Sequence, residues 1–391
     1  MNKSGNAYQK LQRGWMRAVV VVGLGGALIA TCGAPVQAAV SSNPDGVPSF
    51  NGTVLATAYL GDTIYVGGDF TKAIVNGKQI TRSRLAAIDA NTGALKSWAP
   101  VADGRVKAIA TDGSSVYVAG NFTSVSGIKR DSLARLDAAS AAVSATFKHS
   151  ILGKPYALAA GNGRLYMGGA FTQVNGQARA RLAAFDLISG ALDPLWKPVP
   201  DAQVEVLTTA TGRIYVGGKF KKINSASGFS RLVALNPVSG SIITAFRPKA
   251  TVISFGIAVA GSTVYSAHGG SGGKLNAYTT KGGLRWSATF DGDTQAVAVL
   301  GGTVYVGGHF DRACRSARTG AQGACVDGSV DRVKLAALDA GDGSLLPWQA
   351  NANGIVGVLT MASSVGLNTV AAGGAFTTIN GKNHKRFVQF G

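Results

Sequence analysis

Four side chains that bind ligands or move protons recur at one register of the chain. Lys107, Tyr156, Glu205 and Gln295 each stand ten residues before a tyrosine flanked by apolar residues, in "VYVAG", "LYMGG", "IYVGG" and "VYVGG". Leu55 and Phe255 hold the same register before Tyr65 and Tyr265, and Gly357 is the best match ahead of the last copy. If this register faces one shared space, a cation, a phenol, a carboxylate and an amide converge among apolar neighbours. Such convergence is the default mark of a ligand site, and a solvated channel lining is the plain alternative. Glu205 is the only glutamate in the chain. A lone carboxylate argues against ordinary glycoside hydrolysis, which uses a pair.

The other reactive residues assemble nothing by spacing. His149, His268, His309 and His384 lie far apart with no H-x-x-x-H arrangement, so no metal site is assigned. Phosphate-loop, dinucleotide and nucleophile-elbow motifs are absent, and no cofactor is expected. Cys314 and Cys325 lie in the polar loop "RACRSARTGAQGACVDG". In an exported chain an even pair reads as a disulfide stapling that loop.

The elements that must position the polar register are repeats. "IYVGGDFT" at Ile64 returns as "VYVAGNFT" at Val116, "LYMGGAFT" at Leu165, "IYVGGKFK" at Ile214 and "VYVGGHFD" at Val304. A degenerate copy, "VYSAHGGSGG", lies at Val264, and a last one, "AAGGAFT", starts at Ala371. Each repeat carries four short apolar runs separated by Gly-Asp, Asn-Gly and Asn-Thr-Gly turns. Four strands at a period of about 50 residues is the signature of a β-propeller blade. The glycine pair inside a strand calls for a bend or a close backbone approach.

An all-β, seven-bladed β-propeller over residues 39–391 is therefore expected, with four strands per blade. The fourth run brings one large aromatic per blade: Phe50, Trp98, Phe147, Trp196, Phe246, Trp286 and Trp348. Phe50 precedes the first complete repeat, and the last repeat stops at its third run, "RFVQFG". The N-terminal strand around "VPSFNGT" is expected to complete the last blade and close the ring, leaving no free edge.

"YVGGDFT…NG…RLAAIDANTG" resembles the bacterial delta-sixty repeat. It is also similar to repeats of fungal cortical polarity marker proteins and, more distantly, to quinoprotein-like propellers. The resemblance spans nearly all of residues 39–391. It implies a β-propeller at the cell surface or exterior, and it brings no shared catalytic residues.

Residues 1–38 read as a secretory signal peptide. Lys3, Lys10, Arg13 and Arg17 form a basic start, Ala18 to Ala30 an apolar stretch, and Val36-Gln37-Ala38 a small-residue cleavage site. A lipoprotein signal ending at Cys32 is the rival. No transmembrane segment is expected. The protein is expected to be secreted or surface-associated, and a monomer.

The net charge of +19 is not spread evenly. The segments joining the second and third runs of each repeat hold 21 basic and 5 acidic residues. In a propeller these loops share one face. Lys72, Lys78, Arg82, Arg84, Lys129, Arg130, Arg179, Arg181, Lys219, Lys221, Lys222, Arg231, Lys382, Lys385 and Arg386 are expected there, with Arg312, Arg315 and Arg318. A basic face draws polyanions. Aromatics do not interleave with it, so sequence-specific nucleic-acid binding is not expected. Asp89, Asp137, Asp186 and Asp339 end the third runs on the other face and read as turn residues. The expected function is an exported binding or scaffold module. Its basic face would dock on an anionic surface polymer or polysaccharide, or on another surface protein. The alternative is a secreted enzyme, a lyase or oxidoreductase, with its site in the central channel.

Overall fold

The computed structural model describes residues 39–270 and 272–391. The expected signal peptide and Cys32 lie outside the described residues. Strands dominate, and the one described helix is a single 3-10 turn, Ala321–Gly323.

Among the described residues, seven sheets are built on an antiparallel meander, one per repeat. The first contains Val54–Leu60, Thr63–Gly68 and Leu85–Asp89. The second contains Arg105–Asp112, Ser115–Asn121 and Leu133–Asp137. The others follow the same order, ending with Val358–Ser364, Thr369–Gly374 and Phe387–Phe390. The middle strands are buried along nearly their whole length, as strands covered on both faces must be. First strands of consecutive sheets lie against one another, and Val358–Ser364 of the seventh lies against Val54–Leu60 of the first.

The glycine pair answers two demands at once. A β-carbon on Gly67 would meet Val106 Cγ1 at 2.7 Å and Ile109 Cδ1 at 3.0 Å, both on the next sheet. A β-carbon on Gly68 would strike the Thr53 carbonyl oxygen of its own sheet. There the first strand shifts register between Val54 and Ala56. The first glycine thus admits the neighbouring sheet, and the second admits a bulge.

Three motif tyrosines, Tyr65, Tyr166 and Tyr265, tie their sheet to its successor. Tyr65 Oη donates to the Ala138 carbonyl at 2.7 Å, and Tyr166 Oη to that of Pro237 at 2.9 Å. Each motif tyrosine ring also packs edge-on or tilted against its repeat's fourth-run aromatic, as Tyr65 does with Trp98 and Tyr305 with Trp348.

Four regular strands per repeat are not found. Among the described residues only the fifth repeat forms a fourth strand, Leu284–Phe290. In five others the fourth run makes one isolated bridge to the third strand, such as Ile88 with Leu95 and Leu136 with Val143. The physical reason is a set of arginines. Arg82, Arg130, Arg179 and Arg332 each donate to a fourth-run carbonyl, those of Lys96, Ser144, Asp193 and Leu346. A side chain therefore takes an acceptor that a ladder would use. The fourth repeat substitutes Phe229, and Arg247 from its fourth run stacks over that ring at 4.9 Å.

Phe50 is not the seventh fourth-run aromatic. It pairs with Ala73 on a hairpin of the first repeat, as Phe290 pairs with Ala313. Its ring lies 4.3 Å from Phe70, as that of Phe290 lies 4.4 Å from Phe310. The fourth-run contact of the last repeat comes from earlier residues. Asp45 N donates to the Gln389 carbonyl at 2.8 Å, matching Lys96 N to Ala87 in the first repeat. Gln389 Nε2 returns a bond to Asp45 Oδ2 at 2.9 Å, Ser41 N reaches the Gly391 carbonyl, and Val40 N reaches Tyr305 Oη.

Candidate functional site

Each first strand is bulged at its start, between Val54 and Ala56, Val106 and Ala108, Pro155 and Ala157, Val204 and Val206, Ser254 and Gly256, Thr294 and Ala296, and Val358 and Thr360. The extra residue of a bulge leaves the ladder and re-aims its side chain. The residues re-aimed here line one cavity of about 290 Å³: Leu55, Lys107, Tyr156, Glu205, Phe255, Gln295 and Leu359. The seventh position belongs to Leu359, not Gly357. The last hairpin turns over four residues, Val365 to Asn368, where the first uses only Gly61 and Asp62. Its register is therefore offset from the other copies.

Lys107 Nζ sits 4.4 Å from the Tyr156 ring centroid. Burial, followed by the charges of Arg105 and Lys154, pulls its pKa below the ordinary lysine value, while Glu205 and Asp69 oppose the shift. Glu205 is committed elsewhere, 3.2 Å from Lys219 Nζ and accepting from Gln203 Nε2 at 2.8 Å. At the rim, Arg105 Nε is paired with Asp69 Oδ1 at 2.6 Å. The cavity lining holds a single carboxylate.

First strands begin where second strands end, so the bulges open toward the loops that join second and third strands. Most of these loops fold into small hairpins, such as Lys72–Val75 with Lys78–Thr81 and Thr378–Ile379 with Lys382–Asn383. An Asn or Asp just before the first strand of the same repeat caps several of them. Asp103 accepts from the amides of Thr123 and Ser124, and Asn51 does the same one repeat earlier and Asn353 five repeats later.

The structure divides the expected basic face into two classes. Arg130 and Arg179 are only 3% and 4% exposed, so they do not surround a face. Burial draws their guanidinium groups below the ordinary arginine pKa. Arg82 is half-buried and holds the Lys96 carbonyl. Arg84, Arg181, Arg231 and Arg386 all adopt left-handed backbone and donate to loop carbonyls. Lys219 is taken by Glu205. Lys78, Lys129, Lys221, Lys222, Lys382 and Lys385 are exposed and enter no ion pair among the described residues, while Lys72 is half-buried. Arg312, Arg315 and Arg318 are exposed, and Arg312 and Arg318 lie near Asp331 and Asp327. The missed signal was internal repetition. Arg82, Arg130, Arg179 and Arg332 all stand three residues before the leucine that opens a third strand, which marks a packing role.

The turn aspartates are occupied by their own turns. Asp89 accepts from the amides of Asn91 and Thr92, and Asp137 from those of Ala139 and Ser140. His268 is fully buried, and burial lowers its pKa to about 4. His149 is held between Phe147 and Phe185 and bonded to Asn175. Cys314 and Cys325 form a disulfide. Among the described residues no group of three or more His, Cys, Asp or Glu gathers to hold a metal. No described helix is long and apolar enough to cross a membrane.

A family model described as outer membrane protein assembly factor BamB matches residues 228–386. A second, described as a domain of unknown function (DUF5122) beta-propeller, matches residues 160–195. No curated protein matches the chain. Among solved structures, the WD40 beta propeller domain of Doa1 is similar at 10% identity, covering 89% of this chain and 96% of that one, with a TM-score of 0.55. The RRP9 WD40 repeats are similar at 11% identity, covering 90% and 98%, also with a TM-score of 0.55. These likenesses, with the repeated sheets, show an all-β chain of the β-propeller fold.

Proposed function

We propose that this chain is an exported binding module, a seven-bladed propeller of delta-sixty-type repeats whose lysine-bearing face docks on an anionic surface polymer. Closure of the ring is supported by the packing of the seventh sheet on the first and by the bonds from Asp45 and Ser41 to the last strand. The observation that carries the docking reading is the set of exposed, unpaired lysines on the hairpin loops: Lys78, Lys129, Lys221, Lys222, Lys382 and Lys385. Cations that only hold the fold are satisfied by carbonyls. Among the described residues these lysines have no such partner, and a polyanion supplies one. The enzyme reading is weaker, because the cavity's one carboxylate is already bound by Lys219 and Gln203.

The test is retention of residues 39–391 on purified bacterial cell wall, with and without its wall teichoic acid, across a salt series. Binding should need the polymer and weaken with salt, since each released phosphate contact contributes about 0.7–0.9 to the logarithmic salt slope in nucleic-acid systems. Lys221→Glu with Lys222→Glu should lower retention without unfolding the protein. Retention that ignores both the polymer and these lysines would refute the reading.

A further inference from the structure

Among the described residues, the cavity formed by the bulges holds a cation that enters no ion pair. Lys107 Nζ faces the Tyr156 ring but makes no side-chain hydrogen bond and no ion pair among the described residues. The nearby carboxylates are matched already, Glu205 by Lys219 and Asp69 by Arg105. Lys154, exposed at the start of the third sheet, adds a second cation that enters no ion pair among the described residues. A half-buried ammonium with one side covered by a π-face and its other donors open is an anion site lacking its anion.

The rest of the lining mixes polar and apolar groups. Phe255 and Leu359 lie on strands that do not neighbour those of Lys107 and Tyr156, with Gln295 between them, while Leu55 stands on the strand beside that of Lys107. Before the seventh first strand the chain also carries two extra residues. Asn353 caps its hairpin as Asp103 does, and Val358 pairs with Gly374 as Val106 pairs with Gly120. Between these matched points the second repeat has two residues and the seventh has four. The four include Ile355 and Val356, 89% and 46% exposed, set just before the bulge that carries Leu359. Exposed aliphatic residues in an insertion at a cavity mouth are not explained by packing.

We propose that this cavity binds a small amphiphilic carboxylate, its head on Lys107 and the Tyr156 hydroxyl and its apolar body against Phe255 and Leu359. The volume, about 290 Å³, sits at the low end of the range for ligand pockets and suits a compact acid rather than a polymer chain. The site is separate from the hairpin lysines and does not depend on polymer docking.

The experiment is calorimetric titration with phenylacetate and hexanoate, and with phenylacetamide as the neutral counterpart of the first. Phenylacetate should saturate with a Kd of about 1 mM or tighter, and the amide should bind at least about tenfold more weakly. Lys107→Met should abolish that preference, and Lys221→Glu with Lys222→Glu should leave it unchanged. Equal binding of acid and amide, no saturation by about 10 mM, or undiminished acid binding in Lys107→Met would overturn the proposal. Should Lys107→Met not fold, Leu359→Glu places a carboxylate in the cavity and must abolish acid binding; retained binding in that variant overturns the proposal equally.

Discussion

Arg179→Met separates the cations that hold the fold from those available to a partner. Arg179 is 4% exposed. Its Nη1 donates to the Ala178 carbonyl at 2.9 Å, and its Nη2 to the Asp193 carbonyl at 2.9 Å and the Gln177 amide oxygen at 3.3 Å. Methionine fills much of the volume but leaves two backbone acceptors without a donor. Hydrogen bonds to a charged group contribute about 1.5–3 kcal/mol each. Against that stands the cost of burying the guanidinium, which methionine avoids. The expected net loss is about 2–4 kcal/mol. In a domain of this length each kcal/mol lowers Tm by roughly 1–2 °C, so a fall of about 3–6 °C is expected by calorimetry. Retention on teichoic-acid-bearing wall at a temperature where both proteins are folded should not change. Lys221→Glu with Lys222→Glu should show the converse, unchanged Tm and weakened retention. If Arg179→Met leaves Tm unmoved but weakens retention, the division between buried arginines and exposed lysines is wrong.

Two further outcomes follow from the repeats themselves. Gly67→Ala sets a β-carbon 2.7 Å from Val106 Cγ1 and should cost about 1–3 kcal/mol by overpacking, read from denaturant midpoints. Adding Val106→Ala should recover part of that loss, and additive losses would refute the contact. Asp103 is raised by burial but lowered more by the Thr123 hydroxyl and the amides of Ser124 and Thr123, which hold it at about 2 against an ordinary 3.8. A depressed folded pKa means stability that is present above about pH 4 and lost as pH falls toward 2. Asp103→Asn, with the residue type found at Asn51 and Asn353, should fold and should show a flatter stability profile across that window. An unchanged difference between wild type and variant from pH 5 to about 2 would refute the role.

The repeat period, the four apolar runs and their turn residues were legible in the sequence because each sheet is made of residues close together in the chain. A pattern such as "IYVGGDFT" therefore carries its own strand, glycine pair and turn. The shared register of Lys107, Tyr156, Glu205 and Gln295 was legible for the same reason, since identical repeats place identical positions at one place in each sheet. Counting broke down only where a hairpin is longer, as at Leu359. Other features depended on which carbonyls lacked a partner after folding. Arg82, Arg130 and Arg179 read as surface charge until the fourth runs are seen to turn their carbonyls onto them. Phe50 read as one more fourth-run ring until its pairing with Ala73 set it one step later in the chain. Local pattern determined what each repeat is, through the strict period of a strand and the conformational demands of its turns. Tertiary structure alone decided which charges are spent inside the protein and which remain for a partner, because burial and hydrogen-bond satisfaction belong to the contacts between repeats.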